Sequence, residues 1–173
     1  MKIGLAGTMS VGKTTLAKAL GETDRFKDHP VQTERSKYLR DLGIPLNTDS
    51  TLRGQFVFLA ERATELLYDN IITDRTIWDV CAFTLSAKSI LDWEKRDFVT
   101  AAMHLRGYYD VVIYVSPDGV EMEDNGVRET NLNYRYNIDQ VIQMSLNEYK
   151  PKKLITVKGS TEERIATIIS QLN

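Results

Sequence analysis

The stretch GLAGTMSVGKTTLAKAL, Gly4–Leu20, decides how the rest of the 173-residue chain is read. Small and apolar residues run into a turn bracketed by Gly7 and Gly12, and Lys13, Thr14 and Thr15 follow at once. The segment GTMSVGKT matches G-x-x-x-x-G-K-[ST], with Gly7, Gly12, Lys13 and Thr14 in its four fixed places. The two glycines admit backbone angles that a side chain forbids, so successive amide N–H groups are able to turn inward. A helix starting near Gly12–Lys13 aims its unpaired N–H groups and the positive end of its dipole at the same point. Such a turn is suited to phosphate. Lys13 reaches terminal phosphates, the Thr14 hydroxyl suits Mg²⁺, and Ser10, Val11 and Thr15 complete the expected cradle for ATP.

The residues on either side supply the context the motif requires. KIGLA (2–6) reads as a short buried strand, and KTTLAKALGE places Leu16, Ala19 and Leu20 on one helical face. HPVQTER (29–35) reads as a second strand that Pro30 confines to its start, and 36–43 as a short helix ending at Gly43. From Thr51, Phe56, Leu59, Ala60, Ala63 and Leu67 recur at helical intervals and predict a helix with those residues on its apolar face. NIITD (70–74), YDVVIYVSP (109–117) and KLITVKG (153–159) read as strands, and 78–106 as two helices broken near 87–90. Ser160 and Glu163 form a capping box for a last helix. The alternation predicts an α/β fold of the three-layer P-loop NTPase kind, with a central, mostly parallel five-stranded sheet. A helical lid is expected at about 117–140, within a single domain spanning 1–173.

Composition narrows the class. A net charge of −2 gives no overall field toward nucleic acid or an anionic membrane. The only cysteine, Cys81, rules out an internal disulfide and suits a reducing cytoplasm. No apolar run approaches the ~20 residues of a membrane span, so neither a membrane anchor nor a signal peptide is expected. Cys81, Met103, Trp78 and Trp93 read as packing residues, and His29 and His104 show no metal-ligand spacing.

In a parallel sheet, ligands collect where the strands end. The second strand delivers Glu34, with Lys37 a helical turn on; the third delivers Asp74 and Arg75, with Asp79 close behind. A carboxylate there serves a metal-bound water or takes a proton from an attacking hydroxyl, and Glu34 and Asp74 are both candidates for that base. Lys37, Arg75 and Asp79 are candidate acceptor contacts. Arg128 and Arg135 lie seven apart in the lid segment, where a cation neutralises charge on a transferring phosphoryl group. Segment 121–139 holds five acids against two arginines, which disfavours long nucleic acid there.

With these residues in view the chain resembles the P-loop kinases of nucleosides and nucleotides, and most closely the small kinase-like group that includes the nicotinamide-riboside kinase domain. GTMSVGKTT, TERSKYLRDLG, IITDRTIWDVCAFT, YDVVIYVSP and EDNGVR carry the resemblance. It implies an ATP- and Mg²⁺-dependent phosphotransferase with a small nucleoside or nucleotide acceptor. Asp74 would then serve the metal or the acceptor hydroxyl, Arg75 would contact phosphate or acceptor, and Arg128 would arrive from the lid. The chain departs at Lys37, where the group tends to have arginine and where lysine makes no bidentate contact. Two alternatives stand beside this reading: a kinase of a modified base or end of DNA or RNA, and a nucleotide-dependent switch. A homodimer is compatible with all three.

Overall fold

The computed structural model describes residues 1–119 and 132–173. Five strands form one all-parallel sheet: β1 (Lys2–Ala6), β2 (Val31–Gln32), β3 (Ile71–Thr73), β4 (Val111–Val115) and β5 (Leu154–Val157), in the order β2-β3-β1-β4-β5. The helices among the described residues are α1 (Lys13–Gly21), α2 (Ser36–Asp41), α3 (Leu52–Glu65), α4 (Ile77–Ser86), α5 (Asp92–Met103), α6 (Leu132–Glu148) and α7 (Thr161–Leu172). The three-layer α/β expectation holds.

Alternation along the strands sorts side chains onto two faces. On β4, Val111, Ile113 and Val115 join Ile3, Leu5, Leu16, Leu20 and Ile168 on the α1–α7 side. Val112 and Tyr114 face the opposite way, toward Trp78, Phe98, Ile138 and Ile142 of α4, α5 and α6. Burying Leu16 and Leu20 completely, at 0% exposure each, contributes about 1.5–3 kcal/mol apiece and fixes α1 on the sheet. That docking sets the direction of the helix start at Lys13.

Strand order places the chain reversal beside β1. From β1 the chain moves outward to β2, returns to β3, and then crosses to β4 on the other side. The crevice at the carboxyl ends of β1, β3 and β4 is therefore the expected ligand position. Register does the finer work. Gln32 pairs with Thr73, so Glu34 and Arg75, each two residues farther along, leave the sheet side by side.

Three expectations need correction. On α3, Phe56 and Leu67 are 49% and 81% exposed, and Ala60 also faces solvent. The buried stripe is Gly54, Gln55, Phe58 and Arg62, continued by Leu66. One of its two polar members, Arg62, is ion-paired within the helix to Glu61 and Glu65, which apolar periodicity alone does not reveal. Trp93 is 55% exposed on α5 and is no core residue. Residues 132–140, read as the end of a lid, belong to α6, whose Tyr134, Ile138, Ile142 and Leu146 pack into the core. Cys81, Met103 and Trp78 are buried, as the sequence predicts.

Candidate active site

The turn between β1 and α1 holds three left-handed residues: Gly7 (φ 151°), Ser10 (φ 57°) and Gly12 (φ 83°). At Gly7 a Cβ would stand 2.7 Å from the Val115 carbonyl oxygen of β4, so only glycine permits this approach. Gly12 caps α1 without any side-chain bond, leaving the first helical N–H groups unpaired within the helix. Val11 is buried and anchors the loop from below, while Thr15 points to solvent.

Lys13 is only 8% exposed, and its ammonium donates to the carbonyls of Gly7 at 2.6 Å and Thr8 at 2.7 Å. Burial pulls its pKa below the ordinary lysine value, against the pull of the Asp79 and Asp74 carboxylates. Thr8 is fully buried, and its hydroxyl donates to the Arg135 carbonyl at 3.0 Å, tying the loop to the first turns of α6.

The two candidate carboxylates sit in different surroundings. Asp74 is 1% exposed; Oδ2 accepts from the Thr14 hydroxyl, and Oδ1 is buried without a hydrogen-bond partner. Burial raises its pKa, although Lys13 and the Thr14 hydrogen bond oppose the rise. Glu34 also suffers burial, but Arg75, two hydrogen bonds from Ser36 and the charge of Lys13 outweigh it, and its pKa lies below the ordinary value. The Ser36 amide donates to Oε2 at 2.9 Å, the Ser36 hydroxyl donates to the same oxygen, and the Arg75 guanidinium lies 3.7 Å away. Glu34 is thus held ionised beside Arg75.

Arg75 in turn lies over the ring of Phe83 at 4.8 Å and near Phe58 at 5.9 Å, two buried side chains of α4 and α3. Behind it Arg62, 1% exposed, contacts Glu65 at 2.5 Å and Glu61 at 3.8 Å. Glu61 continues outward to Arg35 at 3.5 Å.

The other sequence candidates are placed less directly. Asp79 is fully buried: Oδ1 accepts from the Gly7 amide at 3.0 Å, and Oδ2 from the Thr76 amide at 2.9 Å and hydroxyl at 2.6 Å. It holds the loop to the start of α4 and turns both oxygens toward the protein itself. Lys37 is exposed on α2. Arg135 is buried in α6 near Asp139, and Asp139 also accepts from the Tyr114 hydroxyl at 2.8 Å. Arg128 lies outside the described residues. Phe58, Phe83, Arg62 and Arg164 escaped the sequence reading. For Arg164 a signal existed, since it is four residues from Ile168 in the buried stripe of α7.

Oxygen donors at Thr14 and Asp74, with the Asp74 Oδ1 atom buried and unpartnered, fit a hard divalent cation. No cluster of three or more His, Cys, Asp or Glu occurs among the described residues, so such an ion would draw its remaining ligands from phosphate and water.

A family model described as an AAA domain matches residues 2–164. The chain belongs to that AAA domain family. No curated protein matches it by sequence. Among solved structures this AAA domain is similar to deoxyadenosine kinase from M. mycoides with bound dCTP, at a TM-score of 0.69 and 18% identity over 100% of this chain and 99% of that one. It is similar to the YorR protein from Bacillus subtilis in complex with phosphorylated GDP, at a TM-score of 0.59 and 17% identity over 99% and 95% of the two chains. The NadR protein in complex with NAD and AMP-PNP matches with a TM-score of 0.68 and 15% identity, over 97% of this chain and 48% of that one. At these identities the likeness is one of fold. No helix among the described residues is long and apolar enough to cross a membrane.

Proposed function

We propose that the protein transfers the terminal phosphoryl group of ATP, with Mg²⁺, to a hydroxyl or phosphate oxygen of a small nucleoside or nucleoside monophosphate. One observation carries the reading: Glu34, ionised and paired with Arg75, lies with it just past the carboxyl ends of β2 and β3, within electrostatic reach of the phosphate-loop lysine. A nucleotide switch has no need of a paired carboxylate and guanidinium beside its phosphates, whereas a kinase uses such groups on its acceptor.

The chain's own groups divide the work. Loop amides and Lys13 hold the donor phosphates, which requires Lys13 to exchange its two carbonyl partners for phosphate oxygens. Thr14 and Asp74 would hold the cation, which supplies charge neutralisation between the donor phosphates when bound. Glu34 accepts the proton of the attacking hydroxyl as the new acceptor O–P bond forms and the bond to the leaving ADP oxygen breaks. Arg75, over Phe83, keeps Glu34 ionised and offers its guanidinium to the acceptor. Asp79 positions the loop through Gly7 without touching substrate.

The fold likeness to a deoxyadenosine kinase supports a nucleoside-sized acceptor. The test is a panel of nucleosides and monophosphates with γ-labelled ATP and Mg²⁺. Label should appear in one class of acceptor with the wild-type chain and be lost in Lys13→Ala, whose circular dichroism stays native. Binding of nucleotide with no acceptor ever labelled would overturn the kinase reading in favour of a switch.

A further inference from the structure

Arg164 lies in the first turns of α7, four residues after the Ser160 cap, and is 4% exposed. One guanidinium nitrogen donates to the Val11 carbonyl of the phosphate loop at 2.8 Å. The same nitrogen stands 3.1 Å from the point where a Cβ on Gly12 would lie, so the arginine packs against the back of the loop. Its Nε is buried with no partner, and among the described residues no carboxylate pairs with it. Burial alone pulls its pKa below the ordinary value, with no acid opposing it. A buried cation without a counter-ion is costly, so a chain that keeps one is expected to gain from it elsewhere.

The Val11–Gly12 peptide shows where. No cis peptide bond occurs among the described residues, and across a trans peptide the carbonyl and the next N–H point in opposite directions. A guanidinium drawing the Val11 carbonyl outward therefore turns the Gly12 N–H inward. It also polarises that peptide and strengthens the inward donor.

We propose that Arg164 is a positioning residue for the donor nucleotide. From the outer side of the loop it sets the Val11–Gly12 peptide toward the phosphates, and their negative charge completes the balance that the chain itself leaves open. The ligand class is thus a nucleoside polyphosphate, and α7 is part of the donor site. This rests on the donor reading above.

The test is calorimetry of Mg·ATP binding to the wild-type chain and to Arg164→Met, Arg164→Gln and Arg164→Lys, alongside KM for ATP and for the acceptor. The expected result is a loss of about tenfold in ATP affinity for Arg164→Met, an intermediate loss for Arg164→Lys, and an unchanged acceptor KM. A purely structural role would lower the melting temperature while the folded protein kept its ATP affinity and KM, and that outcome overturns the proposal. If Arg164→Met does not fold, a folded Arg164→Gln with wild-type affinity overturns it equally. Absence of ATP binding by the wild-type chain would instead sink the donor reading, and this inference with it.

Discussion

Between Gly7 and Thr15 the site is made of main chain, whereas across the crevice it is made of side chains from four separate elements. On the proposed donor side the groups are amides and one ammonium, supplied by a contiguous segment whose shape depends on Gly7 and Gly12. On the proposed acceptor side Glu34 and Arg75 leave β2 and β3, and Phe58 and Phe83 arrive from α3 and α4. The first kind of site is defined by local geometry, held in place by the buried Thr8 and Val11 between its glycines. The second is defined by tertiary placement and depends on each side chain that enters it.

That contrast yields its largest effect at Glu34. Glu34→Gln keeps the shape and removes the proton acceptor, so turnover should fall about 10²–10⁴-fold while ATP affinity stays near wild type. Lys13→Ala should instead weaken ATP binding as well as abolish turnover. Measuring ATP affinity and kcat for both variants breaks the comparison if Glu34→Gln turns over at a near-normal rate, since the base would then lie elsewhere. A smaller effect belongs to Asp74. With its unpartnered Oδ1 lost as an anionic ligand, Asp74→Asn should raise the Mg²⁺ concentration for half-maximal rate about 10–100-fold, with partial recovery in excess Mg²⁺. An unchanged Mg²⁺ dependence would remove Asp74 from the metal.

The same contrast explains what was legible in the sequence. The phosphate loop could be read because its requirements, two glycines, a lysine and a hydroxyl at fixed spacing, are local. Glu34 and Asp74 could be nominated from strand ends, but the difference between their surroundings could not. It depends on the Gln32–Thr73 register, which sets Arg75 beside Glu34, and on the Thr14 hydroxyl reaching Asp74. On α3, a helical stripe of apolar residues pointed to Phe56 and Leu67. The buried stripe instead carries Gln55 and Arg62, the latter ion-paired to Glu61 and Glu65 of the same helix. Asp79 was nominated by proximity to Asp74 in sequence, yet its oxygens serve the Gly7 and Thr76 amides.

The smallest effect concerns stability, and it separates the two sides by pH. Burial raises the Glu65 carboxyl from an ordinary 4.5 to about 7; Arg62 opposes that rise, whereas Glu61 and Asp74 reinforce it. A carboxyl that titrates higher when folded than when unfolded favours the protonated native state. Its contribution is therefore fully present below the unfolded value, declines as pH rises through 4.5 toward 7, and is lost above that. The decline amounts to no more than about 3 kcal/mol. His29, held below its ordinary value by burial and by the N-terminal ammonium, acts in the opposite sense, because charging it at low pH favours unfolding. The difference between wild type and Glu65→Gln removes that shared background. In melting temperatures of both chains from pH 5 to pH 9, wild type should lose stability relative to Glu65→Gln as pH rises through 7, and the difference should level off only above that. Parallel profiles would mean that Arg62 neutralises Glu65 throughout. The charge buried behind the acceptor wall would then be a satisfied pair, and the acceptor side would be no more pH-sensitive than the loop it faces.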